Sequence, residues 1–161
     1  MNPPLEPRVW ALVAHFERVQ TERMQGIPLL NAALRVEAVD FAWATTSEDA
    51  SPVAEGVLIT PWFMSLVRLP ARALPHAHQV GRSFVRAFGS ERFDFIGAHD
   101  PAIGYHETCA LFSPMGAFDT QALARETARE ALALTRPAPP APTAPVPPVP
   151  SRRAFFLGGR P

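Results

Sequence analysis

No lysine occurs in this chain of 161 residues; all 15 of its basic residues are arginines. That removes amine chemistry such as Schiff-base catalysis. Cysteine is reduced to Cys109, so no internal disulfide can form, in keeping with a reducing compartment. Net charge is missing too. The arginines are matched by 15 carboxylates, leaving no field strong enough to gather nucleic acid or an anionic membrane. The longest apolar run, Val57 to Leu69, is broken by Thr60, Pro61, Ser65 and Arg68 and is too short to insert in a bilayer. Met1 to Pro7 lacks the basic and apolar regions of a secretory signal, so a cytoplasmic protein is expected. Glycine-rich phosphate loops, nucleophile elbows and zinc-type spacings are absent as well.

What is abundant is proline, and it is concentrated. Residues 137–150 are built only of Pro, Ala, Val and Thr. Such a tract lacks most backbone donors and favours polyproline II, a semi-rigid spacer that reaches about 40 Å over its length. Beyond it, Ser151 to Pro161 carries Arg152, Arg153, Phe155, Phe156 and Arg160. Adjacent phenylalanines on a tether need burial, on the same chain or on a partner. The expected organisation is one domain over 1–136, a linker over 137–150 and a binding tail over 151–161. With 47% hydrophobic residues and eleven phenylalanines in the whole chain, nine of them within 1–136, a core can be built.

Pro7 to about Gln25 is expected to be a helix, with Val9, Leu12, Val13, Phe16 and Val19 on one stripe. Val36 to Thr45 alternates as a half-buried strand. Glu55 to Thr60 and Phe63 to Leu69 are apolar enough for two strands, or one bent strand, buried on both faces, with the bend at Pro61. His76 to Phe88 has no clear period. Arg92 to Ile96 and Tyr105 to Phe112 are expected to pair as a hairpin. A second helix is expected over Thr120 to Thr135, with Asp119 as its N-cap and Ala124, Ala128, Ala131 and Leu132 as its packing stripe. These elements make an α+β fold: a mostly antiparallel sheet of about five strands with two packed helices.

Chemistry is sparse. His76 and His78 could share one side of an extended chain, but no further ligand lies near in sequence. His106 and Cys109 are three apart, which on a strand places them on opposite faces. A small redox or small-molecule enzyme using His99, His106 and Cys109 is the alternative reading, and an unrelated peptide-binding scaffold is another. Pro61-Trp62 stands out as a strand bend bearing a residue type enriched in binding hot spots. In the tail, Arg152 and Arg153 can fork onto carboxylates while Phe155 and Phe156 add apolar area.

Three separated segments resemble one family. Gly56 to Ser65 resembles the "G-x-x-I-T-P-W-x-x-S" core of the [NiFe]-hydrogenase assembly chaperones of the HybE, HupJ and HoxT type. Cys109 to Met115 looks like that family's next block, and Arg152 to Arg160, including Gly158, like its terminal arginine–glycine block. The spacer over 137–150 is longer and richer in proline than the family pattern. The resemblance implies a non-catalytic, cytoplasmic maturation factor without a cofactor. Its implied partner is a hydrogenase precursor, the small iron–sulfur subunit with its twin-arginine export signal being favoured, together with other maturation factors. Ser151 to Leu157 itself reads like a twin-arginine pattern, although it lacks a following apolar stretch.

Overall fold

The computed structural model of the chain describes residues 2–44 and 51–136. The linker and tail expected over 137–161 lie outside the described residues. Helix α1 spans Glu6–Glu22, followed by strands β1 (Glu37–Trp43), β2 (Val53–Ile59) and β3 (Met64–Pro70). After a short 3-10 turn come β4 (Ser83–Phe88), β5 (Glu91–Asp100) and β6 (Gly104–Phe112), then helix α2 (Gln121–Thr135). The strands form one antiparallel sheet in the order β1-β2-β3-β6-β5-β4.

The expected α+β class and the two helices are therefore present, as is the β5–β6 hairpin. The sheet has six strands rather than about five. The additional strand, β4, lies in the stretch without a clear period. Its burial alternates imperfectly because it is an edge strand carrying Arg86 on its inner face. A second correction concerns α2. Its N-cap is Thr120, not Asp119: Thr120 is extended and its Oγ1 accepts from the Leu123 N–H at 3.1 Å.

The sheet consists of two three-stranded meanders joined only where β3 meets β6. Each helix covers one face. Under α1, Leu12 packs with Val36, Ala54, Leu58, Val67, Leu69 and Ile103. Under α2, Ala124, Ala128 and Leu132 meet Val57, Ile59, Leu66 and Phe95. Because β2 and β3 are sandwiched between the helices, every residue in both is buried. That is why they read as continuous apolar runs rather than alternating ones. The packing of β1 on β2 requires Gly56. A Cβ there would lie 2.4 Å from the ring of Phe41, so the aromatic ring of β1 lies flat over the glycine.

One row of side chains under the open half of the α2 face is charged. Glu55, Arg68 and Glu107 stand opposite one another on β2, β3 and β6, and all three are buried. Arg68 donates to Glu107 across the junction. Arg86 reaches over from β4 and grips Glu107 with two hydrogen bonds, of 3.1 and 3.0 Å. Tyr105 donates its hydroxyl to Glu107 at 2.6 Å, using the space that Gly97 leaves open. Burial alone would raise the Glu107 pKa. Hydrogen bonds from Tyr105 and Arg86 and the charges of Arg68 and Arg86 outweigh it, holding the group below the usual carboxylate range. Replacing Glu107 by Ala strips the counter-charge from buried arginines. The expected cost is about 3–5 kcal/mol of folding stability, measurable as a lower urea midpoint with an unchanged slope.

Candidate functional site

The β2–β3 connection is a two-residue turn, Pro61-Trp62, closed by the flanking residues. The Thr60 N–H donates to the Phe63 carbonyl at 2.8 Å. The Thr60 hydroxyl donates to that same carbonyl at 3.1 Å and accepts from the N–H groups of Trp62 and Phe63 at 3.2 and 2.9 Å. One threonine thus satisfies most of the turn's backbone, and Pro61 occupies the position where a missing N–H costs nothing. Pro61 is buried and Trp62 half-buried. The Trp62 ring leans edge-on against Phe63, with centroids 5.6 Å apart, and lies 6.5 Å from Phe16 of α1. Trp62 is therefore neither a free anchor nor a core residue; it is the outer member of an aromatic trio at one end of the sheet.

Asn31 ties this turn to a distant segment. Its backbone N–H donates to the Pro61 carbonyl at 2.9 Å. Its side-chain amide donates to the carbonyls of Met115 and Phe118 at 3.0 and 2.7 Å. The two sequence blocks, 56–65 and 109–115, are thereby brought to one rim. Met115 is fully buried beneath it, and the Ser113–Pro114 peptide is cis. Beside Asn31 lies an open cavity of about 440 Å³ lined by Pro28, Leu29, Leu30, Pro114, Gly116 and Phe118. Leu29 is 62% exposed at its lip. Asn31 has no signature in the sequence, because its three backbone partners lie far apart along the chain. Trp10, off the apolar stripe of α1, is 69% exposed.

The other sequence candidates do not assemble. His106 lies under α1, its Nδ1 3.1 Å from the Gly104 carbonyl. Cys109 is half-buried on the opposite face, against the α2 cluster, where burial and then the charge of Asp94 push its thiol pKa up. His99 is on β5, and no contact joins it to either residue among the described groups. His76 stacks edge-on to Tyr105 at 5.5 Å and to His78 at 5.8 Å. Among the described residues, no three His, Cys, Asp or Glu side chains converge as a metal site requires. A polar cavity of about 440 Å³ beside Arg72, His76, Arg86 and Glu107 belongs to the charged row under the sheet. Arg152, Arg153, Phe155, Phe156, Gly158 and Arg160 lie outside the described residues.

With this geometry in view, the comparisons with known proteins are consistent. The chain matches the family model described as [NiFe]-hydrogenase assembly, chaperone, HybE over residues 7–158. It is 43% identical to the protein HoxT of Cupriavidus necator, covering 95% of this chain and 89% of that one. It is 39% identical to the hydrogenase expression/formation protein HoxT of Azotobacter vinelandii, covering 92% and 95%. Its fold resembles the solution structure of HybE from Escherichia coli, with a TM-score of 0.55 at 18% identity over 88% and 87% of the two chains. These matches define the class as an assembly factor. The chain belongs to the HybE family of [NiFe]-hydrogenase assembly chaperones.

Two measurements probe this site. Asn31→Ala leaves two inward-facing carbonyls without their donor, and a loss of about 1–3 kcal/mol is expected in chemical denaturation. His106 and His15 both have lowered pKa values, chiefly through burial. The unfolded chain then takes up protons at higher pH than the folded one. Melting temperature is expected to hold above pH about 6.5 and to fall as the pH drops below it. His106→Asn should remove part of that decline.

Proposed function

We propose that the chain acts without catalysis, in the cytoplasm, by holding the precursor of a hydrogenase subunit until assembly permits export. The small iron–sulfur subunit with its twin-arginine signal is the favoured client. The observation that carries this reading is the rim. Two family-type blocks, far apart in sequence, are knotted together by Asn31, which joins the Trp62 turn to a cavity of mixed polarity with Leu29 exposed at its lip and Asp119 in its wall. No nucleophile–base pair or convergent ligand set accompanies it among the described residues. A half-buried aromatic near an open cleft that offers both apolar and polar groups suits capture of an extended or unfinished polypeptide. Pro61 contributes by fixing the direction of Trp62. The tail residues Arg152, Arg153, Phe155, Phe156, Gly158 and Arg160 supply a second contact, arginines toward client carboxylates and phenylalanines toward its apolar surface.

The test is capture of tagged precursor small subunit, with and without its signal, by the full chain and by Trp62→Ala. The variant is expected to lose at least tenfold in affinity while its melting temperature changes little, since Trp62 is an outer rather than a core ring. Normal capture by a variant that melts much earlier would make Trp62 purely structural. Capture of the large subunit alone would reassign the client.

A further inference from the structure

A predominantly apolar concavity lies between α2 and the strands β3, β5 and β6. It has a volume of about 400 Å³ and is lined by Leu66, Phe93, Leu111, Ala131 and Leu134, with Glu91 and Thr135 at its edge. Helix α2 has two apolar stripes. Ala124, Ala128 and Leu132 are buried in the core, whereas Leu123, Thr127, Ala131 and Leu134 form a shoulder facing away from it. Leu134 is 80% exposed, so a leucine stands in water at the mouth of an apolar groove. That arrangement marks a surface that another apolar segment covers.

We infer that, in the free chain, this groove is occupied by the chain's own Phe155-Phe156-Leu157. Three observations select this occupant. The first is where the described fold stops. Thr135 forms the end of the groove and is fixed there: its carbonyl accepts from the Ser90 N–H at 2.6 Å and from the Ser90 hydroxyl at 2.8 Å. Residues 137–161 therefore start at the groove's own end. The second is reach. The tract over 137–150 spans at most about 40 Å, enough to loop out and return but short enough to hold the tail near the groove. At the millimolar effective concentration such a tether provides, even a dissociation constant of about 1 mM gives half occupancy. The third is charge. Glu91 on the edge and Glu126 and Glu130 on the outer turns of α2 form no ion pair among the described residues. They complement Arg152, Arg153 and Arg160, which flank the apolar triplet. The tail thus has an apolar centre and basic flanks, and the groove an apolar floor with Glu91 at its edge. This inference concerns the unliganded chain and does not depend on the identity of the client.

The experiment compares amide and methyl NMR spectra of the full chain with those of the full-length Phe155→Ala/Phe156→Ala variant. The described residues, 2–44 and 51–136, carry no substitution in this variant. Differences are expected at Phe93, Leu111, Ala131 and Leu134 and should be independent of protein concentration. Leu134→Glu, at an exposed position, is expected to produce the same differences and to collapse the 151–157 signals to random-coil positions. Spectra that coincide outside the tail would overturn the inference. Differences centred on Trp62 and Leu29 would also overturn it, placing the tail at the rim. Differences that vanish on dilution would make the occupant a second copy's tail rather than the chain's own.

Discussion

Everything in this fold depends on the pairing of β3 with β6. Each three-stranded meander could form from neighbouring residues, but neither buries a core alone. The junction makes one sheet of them, and the Arg68–Glu107 pair stands on it. A buried ion pair is a poor source of net stability, since desolvation offsets most of its attraction. Its value here is in register. Shifting β6 by one residue would turn Glu107 toward α1 and leave Arg68 opposite His106 or Thr108, neither of which supplies a carboxylate. The row Glu55, Arg68, Glu107 therefore fixes which residues of the two meanders meet. Met64 is then aligned with Phe112, and the Pro61 turn with the segment around Met115.

That alignment divides the labour between the parts of the molecule. The charged row occupies the half of one face that α2 leaves open, and within it Glu107 is held by Arg68, Arg86 and Tyr105. The rim at the other end of β2 and β3 carries little charge and is held by backbone acceptors, through Thr60 and Asn31. A site for polypeptide capture gains from this separation. The apolar rim can be wetted and dewetted without disturbing the ion cluster, and the cluster's tight hydrogen bonds keep the rim's supporting strands from slipping.

The fold class was legible because β2 and β3, sandwiched between helices, must be apolar along their whole length, and because α1 and α2 carry clean packing stripes. The strand missed at first, β4, shows why legibility fails at an edge. With Arg86 turned inward to meet Glu107, its inner face does not read as apolar. The partnership of Arg68 with Glu107, 39 residues apart, has no local trace. The Thr60-Pro61-Trp62 turn was visible as a breaker between two strands. Its link to the Met115 segment was not, because it passes through Asn31, whose surroundings have no period. The N-cap of α2 fell on Thr120 because the first helical N–H groups lie within reach of its hydroxyl.

The junction between the meanders also sets the order in which the molecule can come into being. Closing the chain segment between Arg68 and Glu107 costs about 3 kcal/mol of loop entropy before any pairing across it is gained. Until β6 arrives, β3 presents a bare edge of backbone donors and acceptors, flanked on both faces by side chains destined for the core. During its own synthesis this assembly factor therefore passes through a state that exposes an open edge strand, the kind of surface that invites wrong partners. Local hairpins form early, but protection is reached only when the second meander seals the first.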